Sequence, residues 1–268
     1  MGCVLTLINE SGSEPADSPV DRDYVIALEK GLAIIEAFGQ LRGSATLTKI
    51  AEVTGNTKAS VRRSLHTLCK LGYAHQEGRQ FQLAARTLRL GSAFVVSDEL
   101  TRLAQPILEM TAERTKESAS MAVLVAQDVV FVARATHRRS LSVGLSAGAR
   151  LPAYASATGR VLLAGHPKDW ALFILNRMRR PALTAKTLTQ VTDVMRQIEL
   201  VKHQGYALCD QELELGLRSI AVPIKNRKEQ TIAAISLSVA TSRMDIPAIL
   251  EKLLPELEAA KQKFSALI

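Results

Sequence analysis

Aromatic rings are scarce in this chain: one Trp, four Tyr and six Phe supply 4% of its 268 residues. A platform that stacks single-stranded bases needs a series of exposed rings, so that class of partner does not fit. Cysteine is sparser still. Cys3, Cys69 and Cys209 are odd in number, far apart and in no CxxC or Cys/His spacing, which fits neither a disulfide framework nor a zinc site. A reducing cytoplasm is the expected compartment. No apolar run approaches the roughly 18 residues of a membrane span, and residues 4–8 lack a basic stretch before them or a small-residue cleavage site after them, so neither membrane nor signal peptide is expected. There is no Gly-x-Ser-x-Gly elbow, His-Glu-x-x-His pair or phosphate-binding loop, and the expected catalytic residues, cofactors and metals are none.

What is present is an ordinary globular composition, 47% hydrophobic and 22% charged, long enough for about one or two domains. Charge is the value off centre, a net +8 with a pI near 9.6, which suggests a polyanionic partner. That charge is unevenly placed. Residues 1–40 hold two basic against seven acidic side chains, whereas 41–89 hold nine basic (Arg42, Lys49, Lys58, Arg62, Arg63, Lys70, Arg79, Arg86, Arg89) against two acidic. The remaining 23 basic and 17 acidic residues are spread over most of the length.

Residues 9–23 are polar, acidic and rich in turn formers, so 1–23 reads as a disordered tail. From Tyr24, apolar residues recur at helical spacing through Phe38, where Gly39 is expected to end the helix. A short helix with Thr46 as N-cap, a Thr54-Gly55-Asn56 turn and a second helix from about Thr57 to Lys70 make a helix-turn-helix pattern. On a 100° wheel Val61, Leu65 and Leu68 face inward. Ala59, Arg63, His66 and Lys70 face outward, flanked by Arg62 and Thr67, with Lys58 in the first turn. A recognition helix needs such an arrangement to reach base edges and phosphates in the major groove of double-stranded DNA. The same pattern also fits a solvated basic face. Segments 73–76 and 80–83, turning about Gly78, then add a hairpin, making a winged helix over 24–85 with Arg79 at the wing tip, placed for a phosphate or the minor groove.

A linker helix is expected over 86–98, broken at Gly91 and Ser97-Asp98, with apolar surface for a dimer contact. An effector-binding domain follows over 99–268. It reads as a hairpin of 121–126 and 129–135 about Gln127-Asp128 and a third strand at 141–145. Helices at 157–164, 168–177 and 188–203 precede strands at 206–209, 219–223 and 232–239, and one last helix runs from 246 to about 264. That is an α+β domain with a mixed sheet between helices.

Three stretches carry a resemblance. They are Ala27-Leu28-Glu29-Lys30-Gly31-Leu32, then Leu151-Pro152-Ala153-Tyr154-Ala155-Ser156-Ala157-Thr158-Gly159-Arg160, and Asp210-Gln211-Glu212-Leu213-Glu214-Leu215-Gly216-Leu217-Arg218-Ser219-Ile220-Ala221-Val222-Pro223. Over 24–268 the chain resembles the IclR family of bacterial transcription regulators, in the branch of β-ketoadipate (protocatechuate and 4-hydroxybenzoate) pathway regulators. The resemblance implies an N-terminal winged helix-turn-helix, a linker helix, a GAF-like effector domain, and homodimers able to pair into homotetramers on DNA. It also implies a pocket for a small organic acid. Gly148, Ala149, Arg150 and Leu151 with Ser156, Ala157, Thr158 and Gly159 match the segment facing the ligand carboxylate, and backbone N–H groups at a helix start favour an anion. Ser219, Ser236 and Ser238 match pocket positions on later strands. Cys209 stands where the family commonly has an acidic or polar side chain, with Asp210 beside it. From the residues alone, these serines also read as small sheet residues, Cys209 as a buried hydrophobe, Ser156 as an N-cap and Arg218 as an ion-pair residue. The function implied is a DNA-binding regulator controlled by an organic, aromatic acid; the alternative is an enzyme acting on such an acid through the C-terminal domain.

Overall fold

The computed structural model describes residues 23–41, 43–137 and 146–267, and the chain divides into two compact units, Met1–Phe94 and Val95–Ile268. In the first, α1 (Ile26–Leu41), α2 (Leu47–Thr54) and α3 (Lys58–Lys70) enclose a core of Ile34, Phe38, Ile50, Val61, Leu65 and Leu68. Leu41 packs on that core and carries α1 past Gly39, the expected stop. Thr46 and Thr57 cap α2 and α3, their hydroxyls accepting from the N–H groups of Lys49 and Ser60. Between the helices Gly55 sits at φ +66°, a left-handed conformation that a side chain would strain. The wing has three strands rather than two: β1 (Ala45–Thr46) pairs with β3 (Gln80–Leu83), which pairs with β2 (Ala74–Glu77). A 3-10 turn, Ala85–Thr87, leads into α4 (Leu88–Ser97), which runs unbroken through Gly91.

In the second unit Asp98 caps α5 (Glu99–Thr115). It continues with β4 (Ser118–Val125), β5 (Asp128–Ala135), β6 (Arg150–Pro152), α6 (Ala157–Ala164), α7 (Lys168–Arg177) and α8 (Val191–Gln204). After these come β7 (Ala207–Asp210), β8 (Leu217–Lys225), β9 (Thr231–Ala240), α9 (Ile246–Lys252) and α10 (Leu254–Ser265). The six strands are ordered β6-β5-β4-β9-β8-β7. Where a mixed sheet was expected, all five pairings among the described residues are antiparallel, and three of them join strands linked by short loops. The expected strand at 141–145 lies outside the described residues. Instead of one last helix there are two. Pro255 in the first turn of α10 has no N–H to continue the ladder, so the chain breaks at Leu253.

Both faces of this sheet are covered. On one, Met121, Val132, Ile220, Ile235 and Leu237 meet α5, α9 and α10. On the other, Ala122, Val129, Phe131, Ala221 and Ala234 meet α6, behind which α7 and α8 stack. Among the described residues, no helix is long and apolar enough to cross a membrane.

Candidate DNA face and effector site

In the winged unit, the core side of α3 buries Val61, Leu65 and Leu68, and the helix period leaves Lys58, Ala59, Arg62, Arg63, His66, Thr67 and Lys70 exposed. Arg62 and His66 turn toward the wing. With Thr46, Thr48, Gln76 and Arg79 they line an open groove of about 610 Å3. Arg63 and Lys70 follow round the helix, and Thr67 donates its hydroxyl to the Arg63 carbonyl at 3.1 Å. Arg79 is exposed at the tip of the hairpin, where Gln76 Nε2 donates to the Gly78 carbonyl at 2.8 Å and stiffens the turn. The surface combines guanidinium, imidazole and hydroxyl groups on rigid elements, the chemistry that binds phosphates and base edges.

In the second unit the site is built around the start of α6. Ser156 is buried and its Oγ accepts from the Gly159 N–H at 3.1 Å. The N–H groups of Ala157 and Thr158 then have no acceptor within the helix, and the dipole end favours an anion there. Gly159 lets the helix lie flush on the 3-10 turn Ala153–Ala155: a Cβ at this position would stand 2.2 Å from the Ala153 carbonyl oxygen. At its other end α6 abuts Thr231, the first residue of β9. Eight helical residues span about 12 Å, the rise of three to four strand residues. Measured along β9 from Thr231, that length reaches Ala234 and Ile235, just short of Ser236.

Around that level the sheet face is polar. Ser118, Ser238, Ser219 and Cys209 lie side by side across β4, β9, β8 and β7. In the next row Arg134, Ser120 and Ser236 lie across β5, β4 and β9. Ser118, Ser120 and Ser236 are all buried, and among the described residues the Ser118 hydroxyl has no hydrogen-bond partner. Complete burial pushes the Cys209 thiol up to about 12, so it stays protonated beside Arg160 and Glu212. Ala149 and Leu151 pack toward this face, and Gly148 N–H donates to the Phe131 carbonyl, setting the loop against β5.

Two expected pocket residues are not brought here. Arg150 alternates with Leu151 on β6, points to the opposite face, and binds Asp128 through Nε and Nη2 at 3.2 and 2.8 Å. Asp210 alternates with Cys209 in the same way. Its carboxylate accepts from Lys186 Nζ at 2.8 Å and Arg218 Nε at 2.6 Å, and Lys186 first, then Arg218, holds its pKa down to about 2.

The sequence reading missed three residues of the face and the ion pair behind it. Ser118 and Ser120 repeat the alternation of Ser236 and Ser238, a signal that could have found them. Arg134 carried no such signal. A bulge in the β4–β5 ladder pairs Met121 with Ala133 but Ala122 with Phe131, leaving Val132 as the extra residue. Counting alternate residues from Phe131 sends Arg134 to the far face; the bulge returns it to the α6 face, where Nη1 donates to Ser120 Oγ at 3.1 Å. Burial lowers the guanidinium pKa. Behind the site, Arg160 on α6 is 1% exposed and binds Glu212 through Nη1 and Nη2, at 2.7 and 2.5 Å. Arg160 Nε donates to the Tyr154 carbonyl, and Glu212 also accepts from the Leu188 N–H at 3.1 Å.

A winged helix-turn-helix with a basic recognition face, followed by a helix-covered sheet with a row of buried serines beneath the helix, defines a DNA-binding regulator with an effector-binding domain. Residues 27–78 match the IclR helix-turn-helix domain and residues 92–266 match the bacterial transcriptional regulator IclR C-terminal domain; the chain belongs to the IclR family. It is 40% identical to the Pca regulon regulatory protein of Pseudomonas putida over 243 residues, covering 90% of this chain and 84% of that one, which agrees with the branch expected. A solved transcriptional regulator of Rhodococcus sp. RHA1 superposes with TM-score 0.77 at 37% identity, covering 91% of this chain and 98% of that one. The inducer-binding domain of the Acinetobacter PobR transcription factor, a double mutant solved with 3-hydroxybenzoic acid, superposes with TM-score 0.60 at 30% identity. It covers 64% of this chain and 100% of that domain.

Proposed function

We infer that this regulator senses a small aromatic carboxylic acid, whose carboxylate meets the first turn of α6 while its ring lies over the serine-lined sheet face. The observation that carries this is the buried serine-lined sheet face under α6, where among the described residues the Ser118 hydroxyl has no partner, together with an anion-favouring helix start. The acid held by the Acinetobacter domain supports the same ligand class. The C-terminal domain binds its acid without turning it over, a reading supported by the regulatory roles of the matched relatives. The protein works in the cytoplasm as a homodimer able to form tetramers. Exposed apolar side chains support self-association: Tyr24, Val25, Leu28 and Leu32 at α1, and Leu88 and Leu90 on α4.

Coupling between the acid and DNA requires that the acid prefer one arrangement of the dimer. Measured on a promoter fragment, operator affinity should change at least about tenfold when a bound acid is added, which takes about 1.4 kcal/mol of preference. Constant affinity in the presence of every acid that binds would remove the regulatory reading. For the DNA face, log affinity should fall linearly with log salt. The double change Arg63→Ala with Lys70→Ala should flatten that slope by about 1.8, or 0.9 per phosphate contact. An unaltered slope would put the binding face elsewhere.

A further inference from the structure

Basic side chains of the second unit are largely matched by acids: Arg114, Arg150, Arg160, Lys186, Arg218 and Arg243 each pair with a carboxylate. The winged unit leaves its DNA face unmatched. Lys58, Arg62, Arg63 and Lys70 on α3 and Arg79 on the wing form no ion pair with any described residue, and among the described residues no carboxylate lines the groove between helix and wing. Without DNA, these cations are held close together on rigid elements and screened by water and salt alone, so a tethered polyanion is favoured there. The same chain carries one: residues 9–22 hold Glu10, Glu14, Asp17 and Asp21 against a single base, Arg22. This segment enters the winged unit through Asp23, just before α1, and α1 packs on α3. A chain of that length reaches about 20 Å as a random coil and about 45 Å fully extended. A folded unit of about 70 residues has a radius of gyration of roughly 11 Å, so the whole of its surface, the groove included, lies within reach.

We propose that the acidic segment 9–22 occupies the groove between α3 and the wing when DNA is absent, and that DNA binds by displacing it. Its carboxylates meet Arg62, Arg79 and the α3 lysines, the donors that otherwise take phosphate oxygens. A weak contact suffices. A tethered segment meets its site at an effective concentration on the order of 1 mM, so an intrinsic affinity of about 0.1 mM occludes the face about tenfold. Operator and other DNA are penalised by the same factor, because the segment must leave before either binds. The segment therefore lowers idle occupancy of non-operator DNA without changing which sequence is preferred. This rests on the reading of α3 and the wing as the DNA face, and gives that face a second occupant.

Docking is tested by zero-length carbodiimide cross-linking of the full-length protein, which joins a carboxylate to a lysine only where the two touch. Peptide mass spectrometry should find the acids of the segment joined to Lys58 or Lys70, and excess promoter DNA should remove those products. Cross-links from the segment confined to other lysines, or none at all, would overturn the docking. Competition is tested in the full-length variant Glu10→Gln, Glu14→Gln, Asp17→Asn, Asp21→Asn. At about 50 mM salt its affinity for promoter and non-promoter fragments should rise about tenfold together, and the gain should fall below about twofold at about 0.5 M salt. Unchanged affinity would overturn the competition. A plain change in net charge also raises affinity, so the same four changes are combined with Arg62→Ala and Arg79→Ala. There the gain should shrink below about threefold, because the segment has lost its site, whereas an undiminished gain would assign the effect to net charge and sink the proposal. If Arg63→Ala with Lys70→Ala leaves the salt slope unaltered, the DNA-face reading itself falls; if the slope flattens and no cross-link forms, only the docked segment falls.

Discussion

Arg160→Met should destabilise the effector domain by about 3–5 kcal/mol, because it leaves the Glu212 carboxylate buried with no counter-charge. Both partners are nearly sealed from solvent, with side-chain exposures of 1% and 8%, so water is unable to stand in for the missing guanidinium. The lost bonds also bind the domain together across the chain. Arg160 holds α6 to the Tyr154 carbonyl, and Glu212 holds the segment after β7 to the Leu188 N–H. Thr184 and Thr187 fasten the same loop to the carbonyls of Gln211 and Glu212. The double change Arg160→Met with Glu212→Leu should recover part of the loss, since no charge is then stranded. It should not recover all of it, because the Leu188 N–H keeps no acceptor, worth about 1–3 kcal/mol. Trp170 is the chain's one tryptophan and packs against the core under α6, so its fluorescence during urea unfolding reports on this domain. A midpoint shift equivalent to less than about 1 kcal/mol for the single variant would mean that the pair is not the structural hub its geometry implies.

Gly159→Ala should be nearly as damaging, and more so for ligand binding. The added Cβ would meet the Ala153 oxygen at 2.2 Å, its Cα at 2.4 Å and its carbonyl carbon at 2.6 Å. All three are backbone atoms, so no side chain is able to rotate aside, and α6 must move off the Ala153–Ala155 turn by roughly 1 Å to regain van der Waals distance. Overpacking of this kind costs about 1–3 kcal/mol, and here it displaces the helix start proposed to meet the carboxylate. Acid affinity should accordingly fall more than about tenfold in protein that is still folded by circular dichroism. The contrast is Gly31→Ala inside α1, where nothing lies within 4 Å and the change should be neutral or stabilising by up to about 1 kcal/mol. Equal behaviour of the two alanine variants would refute the close-packing account of Gly159.

Much of this protein was readable wherever local chemistry is in control. The caps Thr46 and Thr57, the Gly55 turn, the inward Val61, Leu65 and Leu68, and α7 over residues 168–177 all follow from side chains acting on their own stretch of backbone. Punctuation by glycine misled: Gly39 and Gly91 both lie inside helices; at Gly39 the packing of Leu41 on the core outweighs a cost of about 1 kcal/mol, whereas no buried neighbour among the described residues explains Gly91. The one long C-terminal helix failed at Pro255, a visible signal that the apolar period concealed. At the effector site the candidate residues were legible by resemblance and by the helix-start chemistry of Ser156 to Gly159. Which way each side chain points was not legible.

The amino-acid sequence determined by itself that a short basic block sits on one face of a helix joined to a wing, since the 3.6-residue period and two capping threonines are local properties. Tertiary structure decided which side chains share the sheet face under α6. Strand alternation depends on register, and one extra residue at Val132 turns Arg134 inward, while Asp210 and Arg150 leave for the opposite face and their own ion pairs. The bulge is set by pairing with β4, and the Arg160–Glu212 contact joins residues 52 positions apart, so neither has a signature in its own stretch of sequence.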